Sequence, residues 1–164
     1  MPVVSAEAVV PVDPATAFAV SQTTGAVRRR WDRFISEQHL MDDANAPAKG
    51  VRTFTRQRFG LSMVSRYVSY APPTNVGMVM ERGPWFFTKL GGGWRFTEVP
   101  EGTLAVWKYN FSCRPAWLAP FAEWIGVRVL GFEIRRRLAG FVRGCSDPKP
   151  VSYTHLTLPT IYSV

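Results

Sequence analysis

Strand signals fill the chain from Gly50 to Cys113, and only after Arg114-Pro115 does a long helical period begin. That order constrains the fold more than any single motif. A sheet made in mid-chain has one face to hide, and a single long helix arriving last can cover it. If sheet and helix are held apart, the space between them is a pocket.

The punctuation between strands is tight. Residues 3–10 are β-branched and read as a first strand. Asp13 then caps a short helix with Pro14 at its first position, Phe18 turns inward with Ala17 or Val20, and Thr23-Thr24-Gly25 ends it. A second short turn over 26–30 leads to Trp31, a strand follows over 34–40, and 42–50 is a polar loop. Strands are then expected over 51–59, 61–70, 76–82, 86–90, 94–99 and 103–113, each closed by glycine or proline. Consecutive short strands joined this way make an antiparallel meander. Gly91-Gly92-Gly93 is too short for a linker and is expected to form a bulge or sharp bend where the sheet curls.

The last strand alternates cleanly. Ala105, Trp107, Tyr109, Phe111 and Cys113 share one face, which Trp94 and Phe96 extend. The helix after Arg114-Pro115 is expected to be interrupted at Pro120 and then continuous to about Arg143, with Gly144 and Pro148 ending it. Trp124, Val127, Gly131, Ile134, Leu138, Phe141 and Cys145 recur at spacings of three and four, an apolar stripe. Burying each large member contributes roughly 1.5–3 kcal/mol, which outweighs the propensity cost of Gly126, Gly131 and Gly140 at about 1 kcal/mol apiece. Arg128, Arg135, Arg136 and Arg143 fall mainly on the other side. The expected cavity wall is therefore Trp94, Phe96, Trp107, Tyr109, Phe111, Trp124, Ile134 and Leu138.

Length and composition narrow the class. With 164 residues, 46% hydrophobic and 20% charged, the chain suits one globular domain. Cys113 and Cys145 make neither a disulfide framework nor a metal set. Glu7 and Asp13 interrupt the N-terminal stretch, unlike a secretory signal, and Pro120, Glu123 and Arg128 break the apolar run over 117–132. A cytoplasmic location is the expectation. The net charge of +8 suits either plain solubility or attraction to phosphate, anionic lipid or an acidic protein.

Residues 151–160, Val-Ser-Tyr-Thr-His-Leu-Thr-Leu-Pro-Thr, resemble an in-frame translation of a transposase-based sequencing adapter. The expected domain is therefore 1–146, with 147–164 a non-native or disordered tail that packs poorly. His155 then carries no chemistry.

The order of elements resembles the START-like or SRPBCC superfamily, in particular its bacterial polyketide cyclase/dehydrase and lipid-transport group. The resemblance is carried by Val12-Asp13-Pro14-Ala15-Thr16-Ala17-Phe18, by Trp31, and by Gly50 opening a strand. It continues with Tyr70-Ala71-Pro72-Pro73, Trp94-Arg95-Phe96, Gly102-Thr103 and the arginine-rich closing helix. It spans about Val3 to Arg143. The implied architecture is an α+β helix-grip: an antiparallel curved sheet of six or seven strands wrapped around a long C-terminal helix, with two short helices after the first strand. The resemblance further implies an apolar cavity that binds lipids, quinones, polyketides or hormones, and in a minority of members cyclisation or dehydration.

Residues for catalysis are scarce. His39 alternates with Glu37 on a strand and reads as a surface histidine, so a nucleophile–histidine pair has no base. No spacing gathers metal ligands, no Lys-Ser/Thr pair follows the triple glycine, and no cofactor is expected. Arg66 shares parity with Val64 and Val68, and Glu81 with Gly77 and Val79. Facing inward, either would orient a polar ligand end or move a proton; facing outward, they are a solvated surface or an ion pair. Tyr109 lies on the aromatic face, where its hydroxyl either meets a ligand carbonyl or sits in the core. Arg28-Arg29-Arg30 and Arg135-Arg136-Arg137 read as solvated basic faces, or secondly as a dock for anionic membrane. No nucleic-acid motif accompanies them. Three functions follow: a module binding a hydrophobic or amphipathic small molecule, a cyclase/dehydrase-type enzyme using Tyr109, Arg66 or Glu81, and a membrane or protein adaptor.

Overall fold

The computed structural model describes residues 1–147. The chain begins with β1 (Val3–Val10), passes through α1 (Pro14–Ser21) and α2 (Gly25–Trp31), and enters β2 (Ile35–Leu40). A meander follows: β3 (Arg52–Gln57), β4 (Ser62–Ala71), β5 (Asn75–Arg82), β6 (Phe87–Val99) and β7 (Gly102–Cys113). The chain closes on α3 (Ala119–Cys145). All seven strands form one antiparallel sheet in the order β1-β7-β6-β5-β4-β3-β2. The two short helices carry the chain from one sheet edge to the other, and the meander returns to pair β7 with β1. This is the helix-grip expected from the sequence. The tail over 151–164 lies outside the described residues, as does Pro148.

Local chemistry explains the boundaries. The Asp13 side chain accepts from the Thr16 backbone N–H at 3.1 Å, and Pro14 needs no donor at the first position of α1. Register shifts between Ile35 and Glu37, between Val64 and Ser65, and between Phe87 and Lys89 bend the sheet around the helix.

Two expectations about breaks need correction. Residues 86–90 and 94–99 are not separate strands, because β6 runs unbroken through Gly91-Gly92-Gly93 in regular pairing with β5 and β7. The glycines answer to crowding rather than to a bend. A Cβ on Gly92 would lie 2.7 Å from the Lys108 carbonyl oxygen and 2.9 Å from the Tyr109 ring. Pro120 does not interrupt the last helix either. It sits in the first turn of α3, where a missing N–H costs nothing.

The core gathers on the concave face. Trp94 stacks on Trp107 at 4.2 Å and on Phe96 at 5.6 Å, and Phe141 from α3 closes over Trp94 at 4.6 Å. Ile134, Leu138, Phe141 and Cys145 fill the grip beside Phe18 and Trp31. Here α3 passes so close to α2 that a Cβ on Gly140 would strike the Trp31 carbonyl. The first half of the stripe behaves differently. Trp124 is 54% exposed and Val127 39% exposed, so both lie on the outside of the helix.

Candidate functional site

Between the tight grip and the sheet lies a cavity of about 160 Å³. One wall is apolar: Met63, Met78, Met80, Leu90, Trp94 and Trp107. Gly92 lies between Leu90 and Trp94 on the inward parity of β6, where the Tyr109 ring takes the space a side chain would fill. The opposite wall is polar: Gln38, Thr53, Thr55, Gln57 and Ser65 on β2–β4, with Ser21 to Thr24 between the short helices. Gln38 Oε1 and Thr53 Oγ1 are buried with no hydrogen-bond partner among the described residues. Buried polar atoms are nearly always satisfied, so two orphans on one cavity wall mark where a polar group belongs.

A charged cluster closes one end of the cavity. Asp32, just past α2 and fully buried, accepts from Arg28 Nε at 3.0 Å and from Arg137 Nη2 at 2.7 Å. Arg28 also donates to the Ser21 carbonyl at 2.7 Å and lies 4.1 Å above the Trp31 ring. Arg137 Nη1 donates to Tyr109 Oη at 2.6 Å and to Glu133 Oε1 at 3.3 Å, with the Trp107 ring 4.6 Å from its guanidinium carbon. Arg28, Glu133, Arg137 and Tyr109 all line the cavity.

Environment decides each charge. Burial alone raises the Asp32 carboxyl, but Arg137 and then Arg28 outweigh it and hold the group below its usual range. Burial lowers Arg137 too, and Asp32 followed by Tyr109 more than reverses this. At Glu133 burial wins over the pull of Arg137, so its carboxyl is raised. Burial raises the Tyr109 hydroxyl as well and keeps it protonated. Since Tyr109 Oη accepts from a guanidinium, its own proton is left to donate. Elsewhere, burial pushes the Cys145 thiol up to about 12, an inert thiol.

Of the residues expected on the cavity, Trp94, Trp107 and Tyr109 line it. Phe96, Phe111, Ile134 and Leu138 are buried in packed core away from the lining, and Trp124 is on the outer surface under Arg128. Arg66 and Glu81 face outward and pair with each other at 3.2 Å on the convex side, with Arg52 3.9 Å from Glu81. The inward residues of their strands are the neighbours: Met63, Ser65 and Tyr67 on β4, and Val76, Met78 and Met80 on β5. Arg56 likewise lies outside, 3.3 Å from Glu37, and His39 is half-exposed and stacked on Phe54.

The arginine triplets are not wholly solvated faces. Arg28 is 6% exposed, and the Arg137 side chain 13% exposed. A signal for Arg137 was present: it lies three residues after Ile134 and four before Phe141, on the flank of the apolar stripe rather than opposite it.

This architecture also has relatives. A family model described as polyketide cyclase / dehydrase and lipid transport matches residues 1–145. The chain belongs to that family. Similar solved structures include XoxI from Bacillus cereus, at 10% identity and a TM-score of 0.72, covering 90% of this chain and 97% of that one. A START superfamily protein from Mycobacterium smegmatis is 15% identical with a TM-score of 0.68, covering 86% and 97%. TTHA0849 from Thermus thermophilus is 13% identical with a TM-score of 0.69, covering 87% and 95%. At these identities the likeness is one of fold. Comparison with curated proteins gave no match. The family and fold together suggest hydrophobic-ligand binding or a polyketide cyclase-like function. Among the described residues, no helix is long and apolar enough to cross a membrane.

Proposed function

We propose that this family member binds an amphipathic small molecule between the sheet and α3, one whose apolar body carries a hydroxyl at one end and a carbonyl at the other. The observation behind this reading is the pair of orphaned atoms, Gln38 Oε1 and Thr53 Oγ1, on a wall facing methionine and tryptophan. Gln38 Oε1 only accepts, so it calls for a donor such as a ligand hydroxyl. The Tyr109 proton calls for an acceptor such as a carbonyl oxygen. A cavity of about 160 Å³ suits a single aromatic ring or a short acyl segment. Calorimetric titration with para-hydroxyacetophenone and acetophenone tests the match. The hydroxylated ring binds at least about fivefold tighter, the scale of one net hydrogen bond, and loses that advantage in Gln38→Leu. Equal affinities would sink the reading.

A second reading, cyclase-type chemistry, is favoured by one contact. Arg137 Nη1 holds both Tyr109 Oη and Glu133 Oε1, a proton donor beside a carboxyl of raised affinity for protons. Glu133 would take a proton from the carbon next to a bound carbonyl, while Tyr109 stabilises the enolate oxygen. Arg66 and Glu81 have no part in it. Deuterium exchange into the acetyl methyl of bound para-hydroxyacetophenone separates the two readings. Enzyme-dependent exchange lost in Glu133→Gln supports chemistry; binding without exchange leaves a carrier.

A further inference from the structure

The first half of α3 hides little of itself. Trp117 before the helix is 82% exposed, Phe121 is 59%, Trp124 54% and Phe132 57%. Monomers in water rarely expose a contiguous aromatic surface of this kind without a use for it. The charge on the same face has one sign. Arg128, Arg135 and Arg136 are exposed and form no ion pair among the described residues. The two acids of α3 both turn inward: Glu123 accepts from the Cys113 N–H at 3.2 Å, and Glu133 holds Arg137. Arg128 lies 3.7 Å above the Trp124 ring, and Arg136 5.4 Å from Phe132.

We propose that this face, Trp117 through Arg136, docks on an anionic membrane surface. Tryptophan and phenylalanine settle at the level where headgroups meet acyl chains, and guanidinium groups stacked beside them reach lipid phosphates. A second copy of the chain is a poorer occupant. Packing this face on itself would oppose arginine to arginine in a protein already at +8. Leu130, on the opposite side of the same helix, lines the cavity, as does Phe87, two residues past the 72% exposed Trp85. The loop holding Trp85 is tied to the approach to Trp117, because the Arg114 N–H donates to the Phe86 carbonyl at 2.9 Å.

Co-flotation of the full chain with vesicles tests it, comparing phosphatidylcholine alone with an equimolar mixture of phosphatidylcholine and phosphatidylglycerol. Binding to the anionic vesicles is expected to be on the order of a hundredfold tighter, as three arginines near the surface predict, and to weaken steeply with salt. Two variants separate the contributions. Arg128→Gln/Arg135→Gln/Arg136→Gln removes the preference for anionic lipid, and Trp117→Ser/Trp124→Ser weakens binding to both vesicles at least about tenfold, the scale of one lost interfacial tryptophan pair. All these side chains are exposed, so far-UV circular dichroism and the thermal midpoint are unchanged. Equal binding of the wild type to both vesicles overturns the proposal. So does a dimer in analytical ultracentrifugation that Trp117→Ser/Trp124→Ser dissolves, which would give the face to a second copy.

Discussion

Arg137 reaches back across 105 positions to Asp32, with Nη2 donating to Oδ2 at 2.7 Å. The contact fastens the closing helix to the segment after α2, and it holds the arginine whose other nitrogen carries Tyr109. Fold and candidate site therefore depend on one buried carboxylate. Asp32→Asn leaves Arg28 and Arg137 facing each other without their shared counter-charge. Breaking a buried pair this way costs about 3–5 kcal/mol, read as a drop in the urea midpoint with the slope unchanged. Arg28→Met, which leaves Asp32 still paired with Arg137, costs less. A change below about 1 kcal/mol for Asp32→Asn would place the cluster in water rather than in the core.

The two acids of the cluster respond to pH in opposite directions. Asp32 is held below its usual range, so its stabilisation is present above the unfolded pKa near about 4 and is lost as pH falls through the folded value. Glu133 is raised, so its contribution is present below its unfolded pKa and is lost as pH rises through the folded value. Glu133→Gln cannot ionise and escapes that loss. Its stability relative to wild type therefore increases as pH rises above the ordinary glutamate pKa near about 4, measured as urea midpoints of both proteins in parallel. A difference, variant minus wild type, that stays constant or falls as pH rises contradicts the burial assigned to Glu133.

Helix propensity alone says that replacing an interior glycine by alanine stabilises by about 1 kcal/mol. Two glycines of α3 should disagree about it. A Cβ on Gly131 meets only the Arg135 Nη1 atom at 3.5 Å, an ordinary contact, so Gly131→Ala gains about 1 kcal/mol. A Cβ on Gly140 strikes the Trp31 carbonyl, a backbone atom that cannot swing aside, so Gly140→Ala loses about 1–3 kcal/mol. Thermal melts of the two variants side by side give opposite shifts. If both rise, α3 does not approach α2 as closely as the structure has it.

The same residues show what the sequence could and could not tell. The aromatic alternation of β7 pointed Trp107 and Tyr109 inward, because one strand face there is uniformly apolar. On β3 and β4 the rule had nothing to act on. The inward residues are Thr53, Thr55 and Ser65, and the outward ones include Val64 and Val68, so polarity is inverted around a cavity that is wet on one side. For this reason parity left Arg66 open between an inward and an outward place, and the outward ion pair with Glu81 is the alternative the structure has. Arg28 and Arg137 were hidden in runs of three arginines, where composition says surface and only the helical period says core. Trp124 fitted the stripe by spacing, but the stripe is buried only from Gly131 onward, where α3 enters the grip.

Two buried threonines make the sharpest contrast for the orphaned atoms. Thr103 Oγ1 donates to the Val12 carbonyl at 2.8 Å, whereas Thr53 Oγ1 has no partner among the described residues, and both side chains are essentially inaccessible. Valine has the same shape and lacks the hydroxyl. Thr103→Val strands the Val12 carbonyl and costs about 1–2 kcal/mol. Thr53→Val removes a hydroxyl that gains nothing in the unliganded protein, so that protein becomes more stable by about 1 kcal/mol. Urea unfolding of both variants reads the two signs directly. A loss at Thr53 equal to that at Thr103 would mean its hydroxyl already has a partner, and the polar wall would then hold no vacancy for a ligand.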